Sequence, residues 1–227
     1  LSRAVKIIII SCGIVYFLQL ISQVITGRSE MNWIFGLTPV LVWKKFFVWQ
    51  LFTYAFLHGG IFHLLFNMFA LWMFGCELER YWGTRKFIKY ALVTGIGAGI
   101  STVIVTPNLG IPTIGASGVV YGILLAYGLL FPNRLIYLYF LFPIKAKHFV
   151  LIFGVIELFA SLSGPADNIA HLAHLGGMLF GFGYLRYYSL LSGLRQYYYQ
   201  NKLKKLRGKF RVIDREDDSD DFGSTRH

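Results

Sequence analysis

Residues 90–133 read YALVTGIGAGISTVIVTPNLGIPTIGASGVVYGILLAYGLLFPN and contain no formally charged side chain. The stretch is long enough for two transmembrane helices, because one crossing needs roughly 20 apolar residues. Its two apolar runs are separated by Thr106-Pro107-Asn108, and proline disfavours continuation of a helix. The stretch therefore predicts two membrane-spanning helices joined by a loop.

Long uncharged intervals also occur on the N-terminal side of this stretch. No formal charge lies between Lys6 and Arg28 or between Lys45 and Glu77. The first interval fits one span and is too long for the apolar region of a signal peptide, and the second fits one span preceded by a surface segment. The sequence predicts an all-α, polytopic membrane protein with a bundle of six transmembrane helices. The predicted spans lie at about residues 7–25, 61–78, 88–106, 116–131, 149–163 and 169–187.

The composition excludes an ordinary soluble domain. Of the 227 residues, 15% are charged and 56% are hydrophobic, whereas soluble domains carry about 25% charged residues. The net charge of +11 would suggest a nucleic-acid partner on a soluble surface, but the cations lie between apolar segments, so we expect none. Cys12 and Cys76 each lie in an apolar run, and we interpret both as buried thiols that form no metal site.

The distribution of Lys and Arg predicts the orientation of the chain. All but three of the 22 Lys and Arg residues fall on one side of the predicted topology, the exceptions being Arg28, Lys44 and Lys45. The positive-inside rule then places both termini in the cytoplasm. We expect a multi-pass protein of a bacterial inner membrane, since no organelle transit segment is evident.

Two domains are predicted, a membrane domain at residues 1–193 and a charged cytoplasmic tail at residues 194–227. Within the first, residues 27–60 form an external loop rich in tryptophan, which indicates a segment lying in the membrane interface. A surface hairpin is the alternative interpretation of this loop. Leu135–Phe142 is apolar but too short to cross, and we expect it at the cytoplasmic interface.

Polar residues within apolar segments are costly and indicate either function or helix packing. His63 and Asn67 lie four residues apart at the start of the second span, so they share one helical face. The two side chains could donate hydrogen bonds to one point or hold helices together. His58 lies just before this span.

A serine begins the fourth predicted span, within Gly115-Ala116-Ser117-Gly118. A hydroxyl at a helix start lies beside unpaired backbone N–H groups and the positive end of the helix dipole, which favour a developing anion. A serine that caps a glycine-rich helix is the simpler alternative.

Two histidines, His171 and His174, lie at the start of the sixth predicted span. A neutral imidazole can accept the proton of a serine hydroxyl, so a histidine at the depth of Ser117 is a candidate general base. Helix packing and metal binding are the alternatives.

Small residues at every fourth position form a stripe on each of these two spans, and such stripes let membrane helices approach closely. Ser117 and His174 each lie one residue from the external end of a stripe, so facing stripes would bring the hydroxyl and the imidazole within hydrogen-bonding reach. The stripes are Gly118, Gly122 and Ala126, and Ala173, Gly177 and Gly181.

Together these motifs resemble the rhomboid family of intramembrane serine proteases. The family pattern is a histidine and an asparagine four apart in the second span, G-x-S-G before the fourth and A-H-x-x-G in the sixth. The resemblance covers roughly residues 5–190. Here the matching residues are His63 and Asn67, Gly115 to Gly118, and Ala173-His174 with Gly177.

The resemblance implies a role for each matching residue. Ser117 would be the nucleophile and His174 its base. The oxyanion hole would comprise His63, Asn67 and the backbone N–H of Ser117, and Tyr121 would stack on the catalytic imidazole. The resemblance implies no metal and no organic cofactor. Supporting residues would be Gly115, Gly118, Gly177 and His58, the last more structural than catalytic.

The resemblance also implies a serine–histidine dyad without a third acid. We accordingly expect no carboxylate to orient His174, and we assign no role to Glu157 or His171. Many relatives have Trp-Arg before the second span, whereas this chain has Trp49-Gln50. We expect that difference to affect the loop or the lipid interface and not bond cleavage.

The predicted function is that of an intramembrane endopeptidase, which cleaves transmembrane proteins near the external face of the bilayer. One alternative is an ion-coupled transporter that uses the histidines and Glu157. Another is a catalytically silent rhomboid-like protein that binds membrane proteins. The partners expected are transmembrane substrates and lipid, and the oligomeric state is left open.

Overall fold

A computed structural model of the chain describes residues 1–138, 141–162 and 168–207. The chain divides into two compact units, Leu1–Arg186 and Tyr187–His227. The elements of the N-terminal third are α1 (Arg3–Thr26), α2 (Glu30–Phe35), α3 (Pro39–Lys45), α4 (Gln50–Thr53) and a 3₁₀ turn (Tyr54–Phe56). The next are α5 (Ile61–Ala70), a π-helical turn (Leu71–Gly75), α6 (Cys76–Trp82), α7 (Thr84–Val105) and α8 (Ser117–Leu130). The last are β1 (Leu135–Leu138), β2 (Phe142–Lys145), α9 (Ala146–Leu162) and α10 (Asn168–Arg207).

Three helical stretches among the described residues are long and apolar enough to cross a membrane. They are Arg3–Thr26, Ile61–Trp82 and Thr84–Val105, at the positions of the first three predicted spans. Helix α8 is apolar but shorter. Helix α1 exposes Ile7, Ile14 and Phe17, as expected where a helix faces lipid. The predicted polytopic helical membrane fold is confirmed, whereas the count of six spans stays a prediction.

Helix α7 supplies much of the interior of the first unit. Ten of its residues are buried, including Tyr90 and Thr94. Its hydroxyl side chains bond to carbonyls of their own helix, Thr94 to Tyr90 at 3.1 Å and Thr102 to Ala98 at 3.0 Å. Such bonds satisfy polar groups where water is absent. The turn from α6 into α7 passes through Gly83, whose φ of 79° favours glycine.

The two small-residue stripes are in contact at their external ends. A Cβ placed on Gly177 would overlap the carbonyl group of Gly118, so the backbones of α8 and α10 touch there. Further along, Gly122 and Gly181 both face Thr94 of α7. The stripes therefore face each other at their external ends, whereas side chains of α7 lie against the glycines further along.

The loop at residues 27–60 folds into helices α2, α3 and α4, so the surface hairpin considered from the sequence does not form. Within this segment, the side chain of Gln50 is fully buried. The side chain of Gln50 accepts a hydrogen bond from the N–H of Thr38 at 3.0 Å and donates to the carbonyl of Trp33 at 3.1 Å. The residue that replaces arginine in this chain thus holds the loop together, in agreement with a role outside catalysis.

A small hairpin occupies most of the apolar segment that was expected at the cytoplasmic interface. Strands β1 and β2 pair antiparallel, with Leu135 opposite Lys145 and Leu138 opposite Phe142. In β1, Ile136 is buried while Leu135 and Tyr137 are exposed, which is the alternation of a strand. The prediction of an all-α chain omitted this hairpin.

The second compact unit begins at Tyr187, before the domain boundary predicted at residue 194. Helix α10 continues through both positions to Arg207, so no loop marks the predicted boundary. Most of the predicted charged tail, from residue 208 onward, lies outside the described residues.

Candidate active site

Ser117 is the first residue of α8, and the backbone just before it takes an unusual conformation. Gly115 has a φ of 131°, a value that residues with a Cβ rarely adopt. Its N–H donates to the carbonyl of Tyr54 at 3.0 Å, which fixes the approach of the chain to the helix. A Cβ on Gly115 would also stand 2.7 Å from Cε1 of His63. Glycine is thus required both by the backbone and by the neighbouring imidazole.

The hydroxyl of Ser117 is paired with the imidazole of His174 on α10. The distance from Ser117 Oγ to His174 Nε2 is 2.7 Å, within the normal range of a hydrogen bond. The His174 side chain is 14% exposed. The structure thus brings together the two side chains that the sequence placed at one depth.

The glycine contact between α8 and α10 sets this distance. Gly118 follows Ser117 directly, and Gly177 lies one turn after His174. Because the two backbones touch at this pair, the side chains next to them are held within bonding distance.

Tyr121 lies one turn after Ser117 and covers one face of the His174 ring. The ring centroids are 4.2 Å apart and the planes differ by 10°. This is the stacking that the resemblance implied. It restricts rotation of the imidazole about its side-chain bonds.

His63 points its ring at the backbone that leads into Ser117. The N–H of Gly59 lies 3.4 Å from His63 Nδ1 and donates to it, which leaves the ring proton on Nε2. His63 Nε2 would stand 2.8 Å from a Cβ on Gly115. The Nε2 side of the ring therefore lies beside Gly115, two residues before the serine.

Asn67 lies one turn below His63, as its spacing requires, but its amide is bonded within its own helix. Asn67 Nδ2 donates to the carbonyl of His63 at 2.8 Å, and the side chain is buried. Among the described residues, the structure gives no hydrogen bond between Asn67 and Ser117. The structure therefore places Asn67 near the site without directing it to the serine.

His58 takes part in packing. Its backbone N–H donates to the side chain of Gln19 at 3.0 Å, and its ring meets the ring of His63 edge-on with centroids 5.2 Å apart. Burial, with a smaller contribution from His63, lowers the pKa of His58 to about 4. His58 is therefore neutral at neutral pH, which fits a structural role.

A carboxylate lies against His174, contrary to the expectation from the sequence. Oε2 of Glu157, on α9, is 3.0 Å from His174 Nδ1 and 2.6 Å from His171 Nδ1. The hydroxyl of Tyr121 donates to Oε1 of the same carboxylate. The expectation that no carboxylate lies where it could orient His174 is therefore wrong, and Glu157 and His171, which were assigned no role, both lie next to this imidazole.

Part of this arrangement had a signal in the sequence. His171 lies three residues before His174, so the two rings share a helical face. Glu157 is the lone charged residue of an apolar run, and a buried carboxylate needs polar partners. The pairing itself depends on the packing of α9 against α8, which no local pattern specifies.

The same three residues also have side chains of the types that bind metal ions. One ligand atom from each of Glu157, His171 and His174 lies within 4.8 Å of the others. Ligands around a tetrahedral zinc ion, with bonds of about 2.0–2.1 Å, stand about 3.3 Å apart. The separations of 2.6 and 3.0 Å are shorter and correspond to direct contacts between imidazole and carboxylate. We therefore interpret this cluster as a hydrogen-bonded group and not as a set of metal ligands.

Comparison with known proteins gives a family match over most of the chain. The sequence model of the Rhomboid domain matches residues 45–190, which include all the residues of the site. The rhomboid protease GluP of Bacillus subtilis (strain 168) is 35% identical over 136 residues, which cover 59% of this chain and 25% of GluP.

Two further relatives bear similar names. The putative rhomboid protease YdcA of Bacillus subtilis (strain 168) is 33% identical over 136 residues, covering 59% of this chain and 64% of YdcA. The rhomboid protease GlpG of Yersinia pestis (strain Pestoides F) is 27% identical over 180 residues, covering 77% of this chain and 58% of GlpG. The aligned part of the chain thus spans between a quarter and about two thirds of these curated relatives.

Proposed function

The chain belongs to the rhomboid family, and on this premise we propose that it is an intramembrane serine endopeptidase. Ser117 is the nucleophile and His174 the general base. The substrates are other transmembrane proteins, cut near the external face of the bilayer. Both termini lie in the cytoplasm of a bacterial cell whose inner membrane holds the protein.

The observation that carries this proposal is the 2.7 Å contact between Ser117 Oγ and His174 Nε2. As Oγ attacks a peptide carbonyl, Nε2 takes its proton, and the tetrahedral intermediate collapses to an acyl-enzyme when the protonated imidazole gives that proton to the leaving amine. Water then hydrolyses the ester by the same steps in reverse order, with His174 first accepting a proton and then returning it to Ser117.

Negative charge on the attacked carbonyl oxygen would be met by donors on two elements. The backbone N–H of Ser117 lies at the positive end of α8, and the Nε2 side of the His63 ring lies beside Gly115 just before it. Asn67 joins these donors if its amide turns from the carbonyl of its own helix during the reaction.

An apolar cavity supports substrates that lie in the membrane. Its volume is about 270 Å³, and Ala116, the residue before the nucleophile, forms part of its wall. The remaining lining side chains come largely from α1, α4, α7 and α8. A cavity of this kind fits an apolar side chain of a segment that enters from lipid.

Labelling with a fluorophosphonate tests the proposal. This reagent reacts with an activated serine, so the purified wild-type protein in detergent becomes labelled while Ser117→Ala loses the label. Ser192→Ala, which changes an exposed serine of α10, serves as the matched control and should label like the wild type. Equal labelling of wild type and Ser117→Ala would overturn the assignment of the nucleophile.

The alternatives give different results in the same preparations. An ion-coupled transporter would carry flux in proteoliposomes and keep it in Ser117→Ala. A catalytically silent relative would remain unlabelled in the wild-type form. Cleavage of a transmembrane peptide by wild type but not by Ser117→Ala excludes both.

A further inference from the structure

Glu157 contacts the catalytic imidazole on the side opposite the nucleophile. His174 Nε2 faces Ser117 Oγ at 2.7 Å, and His174 Nδ1 faces Glu157 Oε2 at 3.0 Å. The carboxylate of Glu157 is buried, with 5% of the residue exposed, although its helix is largely apolar. A buried carboxylate of this kind is costly unless several donors surround it.

Three ring side chains surround the carboxylate. Tyr121 donates to Oε1, and the Nδ1 atoms of His171 and His174 both approach Oε2. Tyr121 also stacks on the ring of His174, so one residue restrains both the imidazole and its carboxylate. Glu157 is thus held in one place by groups that themselves belong to the site.

This position favours a proton on the nitrogen of His174 that faces the carboxylate. An ionised carboxylate only accepts hydrogen bonds, so the nitrogen that faces it must be the protonated one. Neutral His174 then has its proton on Nδ1 and a free electron pair on Nε2, towards Ser117. That is the tautomer required of a general base.

The contact between His174 and Glu157 is close but not well aligned. The atoms are 3.0 Å apart, yet the buried Nδ1 has no hydrogen bond of good geometry, and His171 contacts the same oxygen at 2.6 Å. Catalytic hydrogen bonds of free enzymes are often loose and tighten in the transition state. When His174 becomes an imidazolium, its positive charge faces the carboxylate in a medium of low dielectric.

We propose that Glu157 is a positioning residue of the active site, which holds His174 in its reactive tautomer and stabilises the imidazolium through Nδ1. This inference rests on the proposed function, because it concerns the base of the same reaction. It replaces the simple dyad by a serine, a histidine and a glutamate contributed by α8, α10 and α9. Tyr121 and His171 hold the glutamate in position.

Several groups besides Glu157 face His174. His63 on α5 is close enough to interact with it electrostatically. All of the groups that face His174 are retained in the Glu157 variants below, and only Tyr121→Phe alters one of them. They are His63 on α5, Ser117 and Tyr121 on α8, and His171 on α10.

The test is Glu157→Gln, which keeps the shape of the side chain and removes its charge. Cleavage of a transmembrane peptide is followed from pH 5 to 9 in buffer with EDTA, so that adventitious metal has no effect. We expect kcat to fall about 10²-fold and KM to change less than about twofold. The acid limb of the kcat/KM profile should move about one unit to lower pH, because the imidazolium loses its counter-charge.

Glu157→Asp provides the rescue, because it restores the charge. Its acid limb should return to the wild-type pH, with kcat above that of the glutamine variant. A folded Glu157→Gln protein with wild-type kcat and an unshifted acid limb would overturn the inference. The inference would also be overturned if Glu157→Gln and Glu157→Asp had equal kcat values and equal pH profiles. Altered packing alone would then explain the loss of activity.

If Glu157→Gln does not fold, a second pair of variants tests the role of Glu157. Tyr121→Phe keeps the stacked ring and removes the hydroxyl that holds Glu157, so kcat should fall about fivefold. Tyr127→Phe, whose hydroxyl bonds to Glu77 at 2.9 Å far along α8, is the matched control and should keep the wild-type kcat. Wild-type kcat in Tyr121→Phe would overturn the inference.

The result also separates this inference from the proposed function. If Ser117→Ala still labels, the protease assignment fails whatever Glu157 does. If labelling requires Ser117 but Glu157→Gln behaves as the wild type, the protease assignment stands and only the role of Glu157 is lost.

Discussion

Glu157 and Glu79 are both buried glutamates, and the groups that surround them differ in kind. Glu157 faces Tyr121 and two histidines. Glu79, in α6, accepts hydrogen bonds from the backbone N–H groups of Ala4 and Val5 at 2.8 and 3.0 Å. Hydroxyl groups complete its surroundings, those of Ser2 at 2.5 Å and Thr84 at 2.7 Å.

The partners of Glu79 explain a structural role. The first turn of a helix has N–H groups without partners, and a carboxylate placed there satisfies them and interacts favourably with the helix dipole. None of these partners exchanges a proton near neutral pH. Glu79 therefore ties the start of α1 to α6 and α7.

The same residue type thus serves two purposes in one protein. Partners from the backbone and from hydroxyl groups indicate that a buried carboxylate holds elements together. Partners that titrate, placed next to a nucleophile, indicate that it takes part in chemistry. Two matched pairs of variants test the surroundings of the catalytic pair, and a comparison of Glu79→Gln with Glu157→Gln tests this distinction directly.

The largest effect is expected at His63. Removing a principal oxyanion donor costs about 10²- to 10³-fold in kcat, so His63→Ala should lower the cleavage rate by that factor. His148→Ala, which changes an exposed histidine of α9, should cleave at the wild-type rate. An unchanged rate in His63→Ala, measured on a transmembrane peptide, would reduce His63 to a packing residue.

A somewhat smaller loss is expected from separating α8 and α10. Gly177→Ala places a methyl group against the backbone of Gly118, and a shift of about 1 Å in catalytic groups costs about 10²-fold in rate. Gly183→Ala on the same helix meets nothing within 4 Å and should leave the rate unchanged. If Gly177→Ala cleaves as fast as Gly183→Ala, the glycine contact does not set the distance between Ser117 and His174.

The smallest effect on catalysis is expected at Glu79. Glu79→Gln weakens the bonds to the first turn of α1, so thermal unfolding should show a loss of about 2 kcal/mol in stability. The folded protein should keep the wild-type kcat and the wild-type acid limb. A shift of the pH profile like that expected for Glu157→Gln would show that the kind of partner does not separate the two glutamates.

The pairing of Ser117 with His174 could be predicted because it rests on local spacing. A serine at the start of one apolar run, a histidine at the start of another and glycines at every fourth position are visible in the chain itself. The contact between Gly118 and Gly177 then follows from the close approach that small residues allow.

The contacts of Glu157, Asn67 and Gly122 could not be predicted in this way. A helix that is apolar on all sides carries little information about which face meets which neighbour. The sequence therefore indicated that Glu157 lies in a span, but not that its carboxylate meets His174. The resemblance implied that Asn67 belongs to the oxyanion hole, whereas its amide bonds to its own helix in the structure.

The sequence by itself determined the membrane-spanning character of the chain, the spacing of its motifs and the ends of the helices at which they lie, because bilayer thickness and helix geometry act on short stretches of chain. Only the tertiary structure decided that α9 brings a carboxylate to the base and that α7 lies against the inner glycines. Those contacts depend on how each helix is rotated against its neighbours, and that rotation is set by packing over the whole bundle.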